Sequence, residues 1–120
     1  MKQLFLLLLT AGAFSAAHAQ QKIKLDEVAK HAGDSVTVCG KVVDARYFEQ
    51  SKSGPTLINI GAAFPNQLLT VVIYKEDRPA FSYAPETKLV NQEVCVTGKI
   101  QLYREKPQIV AKKESQVAIQ

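Results

Sequence analysis

The sequence predicts an all-β fold, a small closed barrel of five strands with a short helix before the first. Five short segments alternate apolar and polar residues with the period of two that a half-buried strand shows. Gly40 falls inside the first segment, where a glycine indicates a bulge or a sharp bend. A long connection separates the third segment from the fourth. A β-sandwich is the competing all-β arrangement, but its seven alternating strands are hard to find here.

Residues 1–19 have the character of a signal peptide. Met1-Lys2 is a short basic start, an apolar run extends from Leu4 to Phe14, and Ala17-His18-Ala19 fits the small-x-small cleavage rule. The apolar run is short for a bilayer span, which disfavours the alternative of a retained membrane anchor. We therefore expect a signal peptide at 1–19 and one domain at 20–120, exported to the periplasm or secreted.

The charge of the predicted mature chain is mildly basic. Lys2 is the one charged residue in the predicted signal peptide, so 14 basic and 11 acidic residues remain and the formal net charge is +3. A charge of this size is compatible with an anionic partner and too weak to establish one.

The predicted elements follow in order along the chain. Leu25 to His31 has apolar residues at helical spacing and precedes Gly33, which predicts a short helix. The strands are expected at Ser35–Tyr47, Thr56–Gly61, Leu68–Lys75, Glu93–Leu102 and Gln108–Lys112. The third strand is apolar on both faces, so it should be central or covered. Because Pro79 and Pro85 interrupt residues 76–91, that stretch should be irregular with at most one helical turn.

Several stretches together resemble the OB-fold family of nucleic-acid-binding domains, of the kind found as anticodon-binding and nuclease-associated modules. They are V-T-V-C-G-K-V from Val36, G-P-T-L-I-N-I-G from Gly54, F-P-N-Q-L-L-T-V-V-I-Y from Phe64, and V-C-V-T-G-K-I-Q-L-Y-R-E-K-P-Q-I from Val94. The resemblance implies a five-stranded OB-fold Greek-key barrel in a small exported version. It also implies a ligand face on the second and third strands, between the loops that follow the first and fourth.

The resemblance also implies that the first strand pairs antiparallel with the fourth. If Cys39 lies opposite Cys95, paired residues sum to 134, which sets Thr37 against Thr97 and Lys41 against Glu93, a favourable cross-strand set. Export to an oxidising compartment favours a structural disulfide between the two cysteines. Two free or redox-active thiols are the alternative, although the chain has no C-x-x-C motif.

Catalytic chemistry has little support in the sequence. His31 is the one histidine in residues 20–120, and no Cys, Asp or Glu stands at metal-ligand spacing beside it. We therefore expect no enzyme activity, no metal and no cofactor. The run Lys75-Glu76-Asp77-Arg78 could serve a calcium-dependent nuclease, but the chain lacks the Asp-Gly-Asp-type loop by which such enzymes resemble one another; a solvated turn is the simpler interpretation.

Binding of single-stranded nucleic acid, or of a similar anionic oligomer, is better supported, because it needs aromatic platforms and cations. Three tyrosines are the candidates for stacking, four cations for phosphate contacts and two amides for base contacts: Tyr47, Tyr74, Tyr103; Lys75, Arg78, Arg104, Lys106; Asn59, Gln108. Phe64, Phe81 and Tyr83 are expected to close the ends of the barrel instead. A different class of function is an exported barrel that binds a small molecule or a protein through the same groove, as small envelope stress proteins do.

Overall fold

The structure is a computed structural model that describes residues 21–120, so the predicted signal peptide lies outside the described residues. Its strands are β1 (Gln21–Ile23), β2 (Ser35–Tyr47), β3 (Thr56–Ile60), β4 (Leu69–Ile73), β5 (Glu93–Tyr103), β6 (Lys106–Val110) and β7 (Val117–Ile119). Its helical segments are the 3-10 turns Leu25–His31, Lys75–Ala80 and Glu114–Gln116, and the single α-helical turn α1 (Pro85–Lys88).

The all-β prediction is confirmed, but the strand count is corrected from five to seven within the described residues. The two missed strands, β1 and β7, have three residues each and pair along one edge of β2 and of β5. Three residues are too few to show a period of two, so the sequence pattern does not reveal them. The predicted helix over Leu25–His31 is a 3-10 segment, and the connection after β4 holds two helical turns rather than one.

The strand pairings follow the order β1-β2-β3-β4-β6-β5-β7. β4 and β6 are parallel, whereas β2 pairs antiparallel with β3 and also with β5. Because β2 pairs with both of these neighbours, strands β2, β3, β4, β6 and β5 form an unbroken circuit of pairings. The circuit surrounds a core of aliphatic side chains: Val36, Val38, Val42, Ile58, Ile60, Leu69, Val71, Ile73, Val94, Val96, Ile100 and Ile109 are all fully buried.

Each of the two long strands changes partner directly after its Gly-Lys pair. β2 pairs with β5 up to Lys41 and with β3 from Val42 onward. β5 pairs with β2 up to Lys99 and with β6 from Ile100 onward. The irregularity predicted at Gly40 lies slightly later, between Val42 and Asp44.

The predicted register and disulfide are confirmed. Cys39 pairs with Cys95, Thr37 with Thr97 and Lys41 with Glu93, as the constant sum requires. The two cysteines form a disulfide, and the Thr37 and Thr97 hydroxyl oxygens lie 2.8 Å apart. The bond therefore joins the two strands that carry V-T-V-C-G-K-V and V-C-V-T-G-K-I, which share the pattern V-x-V-x-G-K.

The central position predicted for the third strand is also confirmed, because every residue of β4 is buried. The side of β4 that carries Val71 and Ile73 belongs to the aliphatic core. Its other side, with Thr70 and Val72, forms part of the floor of a groove on the outer surface.

Candidate functional site

A groove of about 600 Å³ opens across the outer face of β3, β4 and β6. Its floor is formed by Leu57, Asn59, Thr70, Val72, Pro107 and Gln108. Its walls come from the β2–β3 loop, from the β3–β4 connection, from the end of β4 and from the β5–β6 turn: Phe48, Ser51, Ser53, Pro55; Phe64, Gln67; Tyr74; Tyr103, Arg104, Lys106. The groove thus lies on the strands and between the loops where the OB-fold resemblance places a ligand face.

A row of polar residues crosses the floor from strand to strand. Asp44 pairs with Asn59, Asn59 with Thr70 and Thr70 with Gln108. The Asn59 side-chain nitrogen donates to Asp44 Oδ1 over 2.7 Å, and the Thr70 hydroxyl donates to Asn59 Oδ1 over 3.1 Å. Asn59 is 6% exposed and Thr70 8% exposed, so these bonds hold two buried side chains in fixed orientations.

Gln67 extends this row toward the wall of the groove. Its Nε2 donates to Thr70 Oγ1 over 3.2 Å. Its Oε1 is buried and has no hydrogen-bond partner among the described residues. A buried acceptor without a partner costs the folded protein about 1 to 3 kcal/mol.

Aromatic side chains stand along the walls. Phe64 is 67% exposed and Tyr103 is 59% exposed, which is unusual for rings of this size. The expectation that Phe64 closes the barrel is therefore wrong, whereas Phe81 is buried and packs edge-to-face against Tyr83. Exposed rings beside a groove offer flat apolar faces on which a planar ligand can stack.

The β5–β6 turn forms one end of the groove. Tyr103 pairs with Lys106 across a two-residue turn in which Arg104 and Glu105 have φ values of 49° and 65°. A two-residue hairpin turn of this kind requires a positive φ at both central positions, so these values follow from the tight connection between β5 and β6. The turn places the Arg104 guanidinium 5.4 Å from the centre of the Tyr103 ring.

Lys106 links the two sides of this end of the groove. Its Nζ donates to the Pro65 carbonyl oxygen over 2.7 Å, which ties the β5–β6 turn to the β3–β4 connection beside Phe64. Because the amine is exposed and an ammonium has three donors, it keeps the capacity to meet an anion as well.

A second cavity of about 370 Å³ continues the groove past Ser53 and Tyr74, which line both. Lys52, Lys75 and Glu76 complete its lining. The Lys75 amine donates to the Glu49 carbonyl oxygen over 3.1 Å, so it lies against the β2–β3 loop.

Two of the predicted ligand residues, Tyr47 and Arg78, lie away from the groove. The Arg78 guanidinium forms two hydrogen bonds to the Glu86 carboxylate, at 2.9 and 3.2 Å, and stacks 3.7 Å from the centre of the Tyr47 ring. Burial acts to raise the pKa of Glu86, but the hydrogen bonds and the charge of Arg78 outweigh it and hold that pKa below its usual range. Arg78 is thereby occupied in joining the 3-10 turn, α1 and the end of β2.

Tyr47 lies away from the groove because of the irregularity in β2. Before the irregularity at Val43, the even-numbered residues Val36, Val38 and Val42 face the core. After it the odd-numbered residues face the core instead. Ala45 pairs with core-facing Ile58, whereas Asp44 pairs with Asn59. One extra residue in a strand exchanges the faces of everything beyond it. Phe48 therefore lines the groove in place of Tyr47.

Seven of the nine predicted ligand residues line the groove or the cavity beside it. Six of the nine line the groove: Asn59, Tyr74, Tyr103, Arg104, Lys106 and Gln108. Lys75 lines the adjoining cavity. The sequence reasoning missed Asp44, Phe48, Gln67 and Thr70. Thr70 could have been found, because a lone polar residue in an otherwise apolar strand marks an outward position.

The run Lys75-Glu76-Asp77-Arg78 forms most of the 3-10 turn after β4, with Arg78 directed to Glu86. Across residues 21–120, no group of three or more His, Cys, Asp or Glu is placed to hold a metal ion. Within the same range, no helix has the length and apolar character needed to cross a membrane.

Comparison with known proteins shows a likeness of fold. The chain resembles an aspartyl-tRNA synthetase from Leishmania major Friedlin, with a TM-score of 0.51 and 10% sequence identity. The likeness covers 88% of this chain and 22% of the synthetase chain, so the protein corresponds to about a fifth of that enzyme. At this identity the likeness concerns the fold alone, and it supports an OB-like fold. No protein-family model and no curated protein matches the sequence.

Proposed function

We propose that the protein is an exported OB-fold barrel that binds single-stranded nucleic acid, or a similar anionic oligomer, without catalysis. The observation that carries this proposal is the groove itself, which combines a largely apolar floor crossed by a row of polar residues, four aromatic side chains and a cationic end on one face. Stacking platforms beside cations suit an unpaired strand, whose bases are exposed and whose backbone is charged. The structural neighbour is named as an enzyme that acts on tRNA, which agrees with a polynucleotide ligand.

The binding roles follow from the positions of the side chains. Tyr74 and Tyr103, joined by Phe48 and Phe64, stack on bases, and Arg104, Lys106 and Lys75 meet phosphates. Gln108 lies in the floor row, where a base edge would reach it, whereas the amide of Asn59 is buried and held by Asp44 and Thr70. Tyr47 and Arg78 support the barrel rather than the ligand, since each is occupied by the other and Arg78 also by Glu86.

Export and the absence of catalysis are parts of the same proposal. The disulfide between Cys39 and Cys95 suits an oxidising compartment, and residues 1–19 have the pattern of a cleaved signal peptide. Expression of the full chain, followed by N-terminal sequencing of the mature product, tests the expected start at Gln20.

Fluorescence anisotropy with labelled single-stranded oligonucleotides tests the binding function. We expect saturable binding at low salt, and a loss of about tenfold or more in affinity when Tyr103→Ala and Arg104→Ala are combined, because stacking contributes about 1 to 3 kcal/mol per base. Lys99→Ala is the matched control, since Lys99 is an exposed cation of β5 that does not line the groove. Absence of binding at low salt, or equal affinity in the double variant, contradicts the proposal.

The second candidate function is binding of a small molecule or a protein partner in the same groove. The Asp44 carboxylate at the edge of the floor row favours it, because an anion there opposes a polyanionic ligand. The two candidates differ in their response to salt. Polynucleotide binding weakens steeply as salt rises, whereas binding of a neutral small molecule changes little.

A further inference from the structure

Asp44 is an anion on the face where the proposed ligand is a polyanion. It pairs with Asn59, so it lies at the β2 end of the floor row, and it does not itself line the groove. Its carboxylate forms no ion pair among residues 21–120, so no neighbouring cation neutralises it there. Because its charge opposes an anionic strand, any favourable contribution of Asp44 to binding must come from its hydrogen bonds.

The hydrogen bonds of Asp44 join two segments that form the groove. Its Oδ1 accepts from the Asn59 side-chain nitrogen over 2.7 Å, and its Oδ2 accepts from the Phe64 backbone N–H over 3.3 Å. Asn59 is a buried residue of β3, so the carboxylate is itself held by a fixed side chain. The second oxygen thereby fastens the β3–β4 connection, residues 61–68, to β2 at Phe64.

Lys106 fastens the same connection from another strand. Its Nζ donates over 2.7 Å to the carbonyl oxygen of Pro65, the residue directly after Phe64. The Leu68 backbone N–H donates to the Ile60 carbonyl oxygen over 3.0 Å, which closes the connection at its base. Strands β3 and β4 separate β2 from β6 in the order of pairings, so the backbone at 64–65 is held from two strands that are not neighbours.

The Phe64 ring, in contrast, has little support from the barrel. It lines the groove and is 67% exposed, so most of its surface contacts no other part of the described chain. An exposed side chain on a connection between strands loses conformational freedom when a ligand stacks on it, and that loss weakens binding. A backbone that is already held at Phe64 leaves only the two side-chain torsions to be ordered, which reduces the loss.

We propose that Asp44 is a positioning residue, which holds Phe64 where its ring stacks on a base at the wall of the groove. This role rests on the proposed binding of single-stranded nucleic acid, and Asp44 acts through Phe64 rather than by touching the ligand. Salt screens the charge of a half-buried carboxylate, so its opposition to the strand is small. One stacked base contributes more to affinity than that opposition costs.

A comparison of Asp44→Asn with Asp44→Ala tests the role. Both variants remove the charge, but only the amide keeps an oxygen that can accept from the Phe64 N–H. The probe is a fluorescently labelled eight-nucleotide oligo(dT), measured by anisotropy at low salt. We expect Asp44→Ala to bind it about fivefold more weakly than Asp44→Asn, the lower end of what one stacked base contributes.

Equal affinities of the two variants overturn the positioning role and leave the proposed binding function intact. If the wild type does not bind the probe at low salt, the binding function fails and the positioning role fails with it. Asp26→Asn and Asp26→Ala are the matched control pair, because Asp26 is an exposed carboxylate that does not line the groove. These two variants should bind the probe equally, and thermal melting confirms that each protein is folded.

Phe64→Ala separates the positioning role from a merely structural one. Asp44→Ala also leaves the buried Asn59 amide without its acceptor, which disturbs the groove floor whether or not Phe64 is held. When Phe64→Ala is combined with each variant, the ring is absent, so Asp44→Asn and Asp44→Ala should bind the probe equally. A fivefold difference that persists in this background assigns the effect to the floor and overturns the proposal.

Discussion

At the residue scale, two glycines explain why the phrase V-x-V-x-G-K occurs twice. A Cβ built on Gly40 would lie 2.7 Å from Ile60 Cγ2, and one built on Gly98 would lie 2.6 Å from Ile109 Cγ2. Both distances are far below van der Waals contact, so each glycine provides the space into which an isoleucine of the neighbouring strand packs. Both glycines stand where a long strand is about to change partner. The glycine in each occurrence of the pattern thus makes room for an isoleucine side chain, close to the point where the strand changes partner.

Gly98→Ala should destabilise the protein by about 1 to 3 kcal/mol, since the new methyl group overpacks the core against Ile109. Urea unfolding measures the change. Combining Gly98→Ala with Ile109→Leu removes the Cγ2 atom, so the double variant should lose less stability than the sum of the two single variants. Strict additivity would show that the contact with Ile109 is not the cause.

The Arg78–Glu86 pair predicts a pH dependence of stability. Because the pKa of Glu86 is lower in the folded protein than its ordinary value of 4.5, its contribution to stability is complete above that value. The contribution is lost as the pH falls through the lowered pKa of the folded state. Glu86→Gln should therefore cost about 1 to 2 kcal/mol at pH 7, and progressively less below pH 4.5.

Denaturant unfolding of the wild type and Glu86→Gln across the acid range measures this difference. Glu49→Gln is the control, because Glu49 is exposed and its side chain forms no ion pair among the described residues. A difference between wild type and Glu86→Gln that stays constant from pH 7 to pH 3 would contradict the assigned role of Arg78.

At the scale of the elements, the groove depends on the irregularity in β2, which exchanges the inward and outward faces of the residues after Val42. The irregularity between Val42 and Asp44 turns Asp44, Arg46 and Phe48 outward and directs Ala45 to the core. The first half of β2 instead packs its valines inward and carries the disulfide to β5. One strand thereby joins a covalently linked half of the fold to the half that holds the candidate ligand site.

Replacing both Cys39 and Cys95 by serine should lower the stability by about 4 kcal/mol, since the disulfide closes a loop with a sequence separation of 56 residues. Urea unfolding of this variant, beside the wild type with and without reductant, provides the measurement. Because neither cysteine lines the groove, oligonucleotide affinity under folding conditions should stay the same. An unchanged unfolding midpoint would refute the stabilising role.

At the scale of the whole molecule, charge limits how tightly a polyanion can be held. The predicted mature chain has a net charge of +3, and its groove sets Arg104 and Lys106 at one end with Lys75 beyond Tyr74. Three phosphate contacts give modest affinity at physiological salt. Stacking on the wall aromatics must therefore supply much of the binding free energy.

The salt dependence follows from this count. For three phosphate contacts on a single strand, the logarithm of the association constant should fall with the logarithm of salt concentration with a slope of about −2. Arg104→Ala should reduce the slope to about −1.4, and Lys99→Ala should leave it unchanged. Anisotropy titrations at several salt concentrations measure the slope. A slope near zero would favour a small-molecule or protein ligand instead.

The sequence by itself determined the strand pattern, the Cys39–Cys95 pairing and six of the residues that line the groove. The strand pattern is local, so alternation carries it. The Cys39–Cys95 pairing and the groove residues depend also on the strand pairing and the ligand face that the OB-fold resemblance implies. The predicted Ser35–Tyr47 strand, for example, has the bounds of β2.

The tertiary structure alone decided which face each residue occupies after Val42 and which cations are free for a ligand. Arg78 and Arg104 are equivalent in the sequence, yet Glu86 holds one and the other extends from a turn at the end of the groove. The hydrogen bonds along the floor row, from Asp44 in β2 to Thr70 in β4 and Gln67 beside it, likewise join segments that are far apart in the sequence. One inserted residue reverses the phase of a strand, and long-range partners appear only when strands are set side by side.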